Sequence, residues 1–350
     1  MAAKKYDLGV AFSGGGAKAA AHCGALQAMK EYGVKPQIVS GTSAGSLVAA
    51  FYSAGYEPKE MIELFLGMSF FKDIVTPCKP RGGLFDTSPL LELIRTRLPF
   101  KNFEDLPIPV LAVAADMDHG RAKVFSRGEL APRLVASCSI PIVLKPMVIA
   151  GVHYVDGGVF QNLPIPCIRN MCKKVIAISV RSMEEEQYKD NLLFTATRAY
   201  NMMFMSKMIE DSKLADTLIE LNTGNCSVYD VSRGPELFFS GYRETCAALE
   251  ADGYERIMEP ETIVFPPTRA QQREADLQHL KEEWSEKAVE WGEKAEGWIE
   301  KATDLNEDLK ELAVDWREKA VQAREKAIDA LRARLSQGSR DAIDNTTSDK

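Results

Sequence analysis

The sequence predicts an α/β fold built on a largely parallel sheet, followed by a long helical extension. From residue 6 to about residue 267, short apolar runs alternate with helical stretches, and this alternation is typical of parallel sheets covered by helices. Beyond Pro266-Pro267 the strand formers disappear, and Glu, Lys, Ala and Trp dominate. The runs predicted as strands are Leu8–Phe12, Gln37–Ser40, Val110–Ala115, Lys123–Ser126, Val152–Val155 and Val175–Val180. The predicted helices are Lys18–Glu31, Ala44–Ala54, Pro58–Leu66 and Pro89–Arg97.

The segment 268–335 is predicted to form a helix with a heptad seam, and the polar end 336–350 is predicted to be disordered. Apolar residues recur there in alternate steps of four and three, until the register shifts after Trp316. This stripe suits packing against another helix of this chain or of a second copy. A membrane surface and a solvated helix are the alternatives. The stripe residues expected to contact a partner are Trp284, Trp291, Trp298, Leu305, Leu309 and Leu312.

The composition excludes several classes of protein. The chain of 350 residues has 43 basic and 50 acidic side chains, whereas a general nucleic-acid binder normally has a basic excess. No apolar run reaches about eighteen residues, so no transmembrane span is predicted, and the N-terminus lacks a signal-peptide pattern. The seven cysteines lack the close pairs of a metal site. We therefore expect no metal and no cofactor, and a cytoplasmic protein that is either free or peripheral at a membrane.

The segment Gly41-Thr42-Ser43-Ala44-Gly45 has the pattern of a nucleophile elbow. It follows one predicted strand and opens a predicted helix, which is the context that such an elbow requires. The glycines leave room for a sharp turn and for a carbonyl substrate, and the helix dipole favours developing negative charge beside the serine. Ser43 is therefore a candidate nucleophile. The alternative is a glycine-tolerant turn whose serine only caps the helix.

The segment Ser13-Gly14-Gly15-Gly16-Ala17-Lys18 also joins a predicted strand to a predicted helix. Three successive glycines can present their backbone N–H groups to an anion, and beside a serine nucleophile this would form an oxyanion hole. A dinucleotide fingerprint fits the same residues formally. That alternative requires an acidic residue at the end of the second strand, where this sequence instead continues from Ser40 into the serine elbow.

A serine nucleophile needs a proton acceptor, most often a histidine. Asp156, in the segment Tyr154-Val155-Asp156-Gly157-Gly158, ends a predicted strand, and its carboxylate could act as the base for a serine on a neighbouring strand. The alternative is an ordinary Asp-Gly-Gly turn. The histidines, none of which is in a convincing triad position, are His22, His119, His153 and His279.

Taken together, the glycine loop, the serine elbow and the Asp-Gly-Gly turn resemble the patatin-like phospholipase family. The resemblance covers roughly Asp7 to Val180, and the motifs follow the family's order. Ser13 stands where the family commonly has Asp or Gly, and Lys18 replaces the commoner arginine. The matching segments are Gly14–Lys18, Gly41–Gly45, Ala136–Pro141 with Pro146 after it, Asp156–Gly158 and Asn162–Pro164.

The resemblance implies a patatin-like, modified α/β-hydrolase fold, a three-layer sandwich around a mostly parallel sheet. It implies a catalytic dyad of Ser43 as nucleophile and Asp156 as general base. It also implies an oxyanion hole formed by the backbone amides of Gly14, Gly15 and Gly16. The residues expected to support this site are Lys18, Gly41, Gly45, Gly157 and Gly158.

The activity implied by the resemblance is hydrolysis of acyl esters in phospholipids, lysophospholipids or neutral lipids at a membrane or micelle surface, through an acyl-enzyme. An acyltransferase, in which an alcohol replaces water, is one alternative. A non-enzymatic lipid-binding or scaffold protein acting through the helical tail is another. The segments 65–85 and 200–208, rich in Phe and Met, are candidates for a lid and an acyl pocket, or for core packing.

Overall fold

We describe the protein from a computed structural model, which covers residues 4–67, 74–79, 82–180, 187–224, 226, 228, 230–265 and 278. By its internal contacts the chain divides into two units, Met1–Thr268 and Arg269–Lys350. The predicted heptad helix, the histidine within it and the polar end lie outside the described residues, apart from Gln278. The domain boundaries at 267 and 335 therefore stay predictions.

Every strand and helix predicted before residue 181 is present, with its ends shifted by a few residues. No helix in the described part of the chain is long and apolar enough to cross a membrane. The strands are β1 Tyr6–Phe12, β2 Ile38–Thr42, β3 Thr76–Pro77, β4 Gly83–Asp86, β5 Val110–Asp116, β6 Arg121–Phe125, β7 Ile142–Leu144, β8 Met147–Ile149, β9 Val152–Asp156, β10 Cys172–Ser179 and β11 Thr217–Glu220. The helices are α1 Ala20–Glu31, α2 Ala44–Ser53, α3 Pro58–Gly67, α4 Ser88–Arg97, α5 Leu130–Cys138, α6 Pro166–Arg169, α7 Leu192–Ser212 and α8 Gly234–Ala251.

The central sheet is mixed: the largely parallel part that the sequence predicts is extended at one side by antiparallel pairing. Its order is β11-β10-β1-β2-β5-β9-β8, and β6 also pairs with β5. The strands from β11 to β5 in this order run parallel, whereas β6 and β9 run antiparallel to β5, and β8 antiparallel to β9. A short turn joins β5 to β6, and so short a connection permits only antiparallel pairing. A second, small sheet has the order β3-β4-β7.

Helices cover both faces of the central sheet because side chains alternate along its buried strands. On β1, Val10 and Phe12 belong to the larger apolar core, which includes residues of α1, α2, α5 and α8. Between them, Ala11 faces the opposite side, where a smaller core includes Ile168 of α6 and Met208 of α7. This arrangement explains why β1 and β5 are apolar over most of their length.

His22, in the first turn of α1, links that helix to the loop after β1. The ring is fully buried, and its Nε2–H donates a 2.9 Å hydrogen bond to the carbonyl oxygen of Ser13. Nδ1 has no hydrogen-bond partner among the described residues. Burial lowers the pKa of His22 to about 4, although the bond to Ser13 opposes this change. The ring is therefore neutral near pH 7 and has a structural role.

Stability should fall on acidification because of His22. The unfolded chain restores the pKa of about 6.5, so it binds more protons than the folded chain between pH 6.5 and pH 4. We expect the wild type to lose about 2 kcal/mol more unfolding free energy between about pH 7 and about pH 4.5 than the His22→Phe variant, whose ring does not titrate. Urea unfolding at both pH values measures this difference. Equal losses in the two proteins would contradict the assignment.

Candidate active site

Ser43 forms a tight turn between β2 and α2. Its backbone has φ 53° and ψ −131°, a conformation that is rare for a residue with a side chain and that clusters at functional sites. The side chain makes no capping hydrogen bond to α2, so the alternative of a serine that only caps the helix does not apply. Ser43 is 8% exposed. The strand, turn and helix expected of a nucleophile elbow are therefore all present.

The glycines of the elbow permit close backbone approaches. A Cβ on Gly41 would overlap the backbone of Gly45, and a Cβ on Gly45 would overlap the carbonyl oxygens of Phe12 and Ser13. The carbonyl of Ser43 accepts hydrogen bonds from the Ser46 N–H at 2.8 Å and the Ser46 hydroxyl at 2.7 Å. The turn is thus fixed by its own helix and by the end of β1.

The glycine loop lies directly beside Ser43, but its first backbone amide, that of Gly14, already donates a hydrogen bond elsewhere. A Cβ on Gly14 would come within 3.1 Å of the Cβ of Ser43, so the two backbones are neighbours. The Gly14 N–H donates a 3.0 Å hydrogen bond to the carbonyl of Asn162. This corrects the expectation that all three glycines contribute amides to an oxyanion hole. The candidate donors that remain are the amides of Gly15 and Gly16.

Lys18 follows the glycine loop and is only 7% exposed. It lies near enough to Cys226 that its positive charge opposes the rise that burial causes in the pKa of that thiol. Its role in supporting the site stays a prediction.

Asp156 ends β9, opposite Ala114 of β5, and is 4% exposed. Its N–H donates to the carbonyl of Ser139 at 2.8 Å, and its carboxylate accepts a 2.7 Å hydrogen bond from the Gly158 N–H. The second bond is the one expected of an ordinary Asp-Gly-Gly turn. The carboxylate therefore has a structural contact, which also fixes the position of its oxygen atoms.

The buried thiol of Cys138 is influenced by both Ser43 and Asp156. Burial and, next, the negative charge of Asp156 raise the pKa of this thiol, while the hydroxyls of Ser46 and Ser43 oppose the rise. Both hydroxyls therefore lie within hydrogen-bonding reach of the sulfur, and the carboxylate is near enough for its charge to act on the thiol. No role for Cys138 was predicted from the sequence. The residue lies inside the family-like segment Ala136–Pro141, which is the one feature of the sequence that could have indicated it.

The described histidines are engaged elsewhere. His119 pairs through Nδ1 with the carboxylate of Asp116 at 2.9 Å, and His153 pairs with Asp118 at 3.1 Å. Both rings are about half exposed. Within the described part of the chain, no histidine hydrogen-bonds to Ser43.

The described residues contain no cluster of His, Cys, Asp or Glu that could hold a metal ion. A surface depression lies between α4 and the start of α5, where Leu98, Phe100 and Leu130 contribute to its walls. It contains neither Ser43 nor Asp156, so it is separate from the candidate active site.

Comparison with known proteins gives one family for this region. The family model described as patatin-like phospholipase matches residues 10–166. An NTE family protein of Mycobacterium bovis is 29% identical over 186 residues, which cover 52% of this chain and 51% of that protein. Patatin-like phospholipase domain-containing protein 6 of Mus musculus is 32% identical over 196 residues, covering 53% of this chain and 14% of that protein. The match thus spans about half the length of the first relative and much less of the second.

Two solved structures are similar over much of the chain. VipD from Legionella pneumophila has a TM-score of 0.41 and 17% identity, with 71% of this chain and 67% of that chain covered. ExoU from Pseudomonas aeruginosa, solved with SpcU, has a TM-score of 0.38 and 15% identity, with 89% and 68% covered. The matched range of the family model includes the glycine loop, Ser43 and Asp156. The match to the family model confirms the resemblance seen in the sequence: residues 10–166 of this chain are similar to patatin-like phospholipases.

Proposed function

We propose that this protein is a lipid acyl hydrolase in which Ser43 is the nucleophile and Asp156 the general base. The observation that carries the proposal is the strained turn at Ser43, whose hydroxyl lies beside the buried thiol of Cys138, on which the charge of the Asp156 carboxylate also acts. The substrate class, acyl esters of phospholipids and related lipids, follows from the family of the matched domain. The longer relatives contribute nothing beyond that domain to the proposal.

In the first half of the reaction, the Ser43 oxygen attacks the acyl carbonyl carbon while the Asp156 carboxylate accepts the hydroxyl proton. The resulting oxyanion accepts hydrogen bonds from the amides of Gly15 and Gly16. The N-terminal end of α2 adds a favourable dipole. Collapse of this intermediate breaks the ester C–O bond. Asp156 returns the proton to the leaving alcohol, and the acyl group stays on Ser43.

In the second half, water attacks the acyl-enzyme and Asp156 accepts one of its protons. The same amides stabilise the second oxyanion. Breaking the bond to Ser43 then releases a fatty acid, and the serine oxygen recovers its proton from Asp156. An aspartate is the proposed base because the described histidines make their hydrogen bonds with other residues.

Removing either member of the dyad should abolish turnover. We expect Ser43→Ala and Asp156→Asn each to lower kcat by about 10³-fold or more, since groups that act as a unit fail together. Hydrolysis of a fluorogenic fatty-acyl ester measures this, with thermal unfolding as a check on folding. Asp116→Asn is the matched control, because Asp116 is a buried carboxylate at the end of the adjacent β5, paired with His119 and Arg121. Near-wild-type turnover by Asp156→Asn would contradict its role as base.

The products distinguish a hydrolase from an acyltransferase. We expect wild-type protein to release free fatty acid from phospholipid vesicles, and Ser43→Ala to release none. Mass spectrometry of the lipids, with and without an added lysophospholipid as acceptor, measures both outcomes. If acylated acceptor replaced fatty acid as the main product, transfer rather than hydrolysis would be the reaction.

Turnover should not depend on a metal ion. Every proton transfer and every oxyanion contact in the proposed mechanism uses a group of the protein, so incubation with EDTA should leave kcat unchanged. The assay is hydrolysis of the fluorogenic ester before and after the chelator is added and removed. A loss that Ca²⁺ or Mg²⁺ restores would contradict this mechanism.

A further inference from the structure

The tripeptide Ser137-Cys138-Ser139, at the C-terminal end of α5, contacts both members of the proposed dyad. The Ser137 hydroxyl oxygen accepts a 2.9 Å hydrogen bond from the backbone N–H of Ser43. Two residues later, the carbonyl of Ser139 accepts a 2.8 Å hydrogen bond from the N–H of Asp156. The backbones of the nucleophile and the base, which come from different strands, are therefore both anchored to one helix end.

The Ser137 hydroxyl is held in a single orientation. It donates a 2.6 Å hydrogen bond to the carbonyl of Val113 on β5, which leaves its lone pairs for the Ser43 N–H. The same carbonyl packs against Gly157, where a Cβ would overlap it. One carbonyl of β5 thus borders both the Ser137 hydroxyl and the turn that carries Asp156.

The partner of the Ser43 N–H matters because the turn is strained. Ser43 has a positive φ, and such a conformation persists only where its surroundings determine it. Ser137 is fully buried, so water cannot readily replace its hydroxyl as acceptor for the Ser43 N–H. Without that hydroxyl, the buried Ser43 N–H would lack a hydrogen-bond partner. Relaxation of the turn towards an ordinary backbone conformation would then be favourable.

We propose that Ser137 is a positioning residue for the Ser43-Asp156 dyad, because its hydroxyl holds the Ser43 turn in the position that the reaction with Asp156 requires. The inference rests on the proposed function. Ser137 acts through the Ser43 backbone, so its loss should lower kcat and leave KM nearly unchanged. It should also slow the reaction of Ser43 with reagents that need no lipid binding.

Ser139 provides a matched control in the same tripeptide. Its side chain is equally buried, and its hydroxyl donates a 2.8 Å hydrogen bond to the carbonyl of Val135 in its own helix. Its contact with Asp156 uses the backbone carbonyl, which alanine retains. Ser139→Ala therefore removes a comparable buried hydrogen bond and leaves both anchors of the dyad in place.

We expect Ser137→Ala to lower kcat about 10- to 100-fold relative to Ser139→Ala, because small misplacements of reacting groups have effects of this size. KM should change by less than about twofold. The second-order rate of Ser43 labelling by a fluorophosphonate should fall in parallel. Ser137→Cys, which keeps a weaker donor and acceptor, should be intermediate in both measurements. Thermal unfolding of all three variants corrects the rates for the folded fraction.

The proposal is overturned if the two alanine variants have equal kcat and equal labelling rates, or if Ser137→Cys is no better than Ser137→Ala. Should Ser137→Ala not fold, the comparison of Ser137→Cys with Ser139→Ala decides, and equality again overturns it. Ser43→Ala separates this failure from the failure of the proposed function. If turnover or labelling survives in Ser43→Ala, the dyad itself is overturned. If both are lost in Ser43→Ala but the Ser137 variants behave normally, the positioning role alone is overturned.

Discussion

The candidate site depends on a backbone contact that only glycine permits. Gly45, in the first turn of α2, approaches the carbonyls of Phe12 and Ser13 so closely that no side chain fits between them. The helix therefore packs directly on the end of β1, and the turn that leads into it has little room. Ser43 occupies that turn with a positive φ, and Gly14 of the next loop lies against it. One close approach thus sets the relative positions of Ser43 and the glycine loop.

The sequence was sufficient for most of the elements and for the parallel part of the central sheet, but not for its antiparallel pairs. Buried strands such as β1, β5 and β10 each contain a continuous apolar run, and such runs are visible without a structure. The three-residue strands β7 and β8 are too short to produce a pattern, and β11 was also missed. The antiparallel pairing of β9 was not predicted, because the direction of this strand depends on its pairing with β5 rather than on its own residues.

In the site, too, features formed by neighbouring residues were predictable, whereas contacts between residues far apart in the sequence were not. The Ser43 turn and the Asp156 turn were predictable because each is a contiguous motif whose glycines have a local purpose. The use of the Gly14 amide was not, since its partner Asn162 is far away in the sequence. The contact between Ser43 and Ser137 spans 94 residues, and no spacing rule could indicate it. Motifs therefore predicted the candidate reacting groups, whereas the residues that contact their backbones emerged only from the packing.

The raised pKa of the Cys138 thiol has a chemical consequence. Thiolates, not thiols, react with oxidants, alkylating agents and acyl groups, and a cysteine in dry surroundings stays protonated. A strong potential competitor therefore lies next to Ser43 in an unreactive form. Its sulfur fills space without adding an anion that would repel the charge developing on a substrate carbonyl. In the proposed reaction the hydroxyl of Ser43, and not the neighbouring thiol, is therefore the group that attacks an acyl carbonyl.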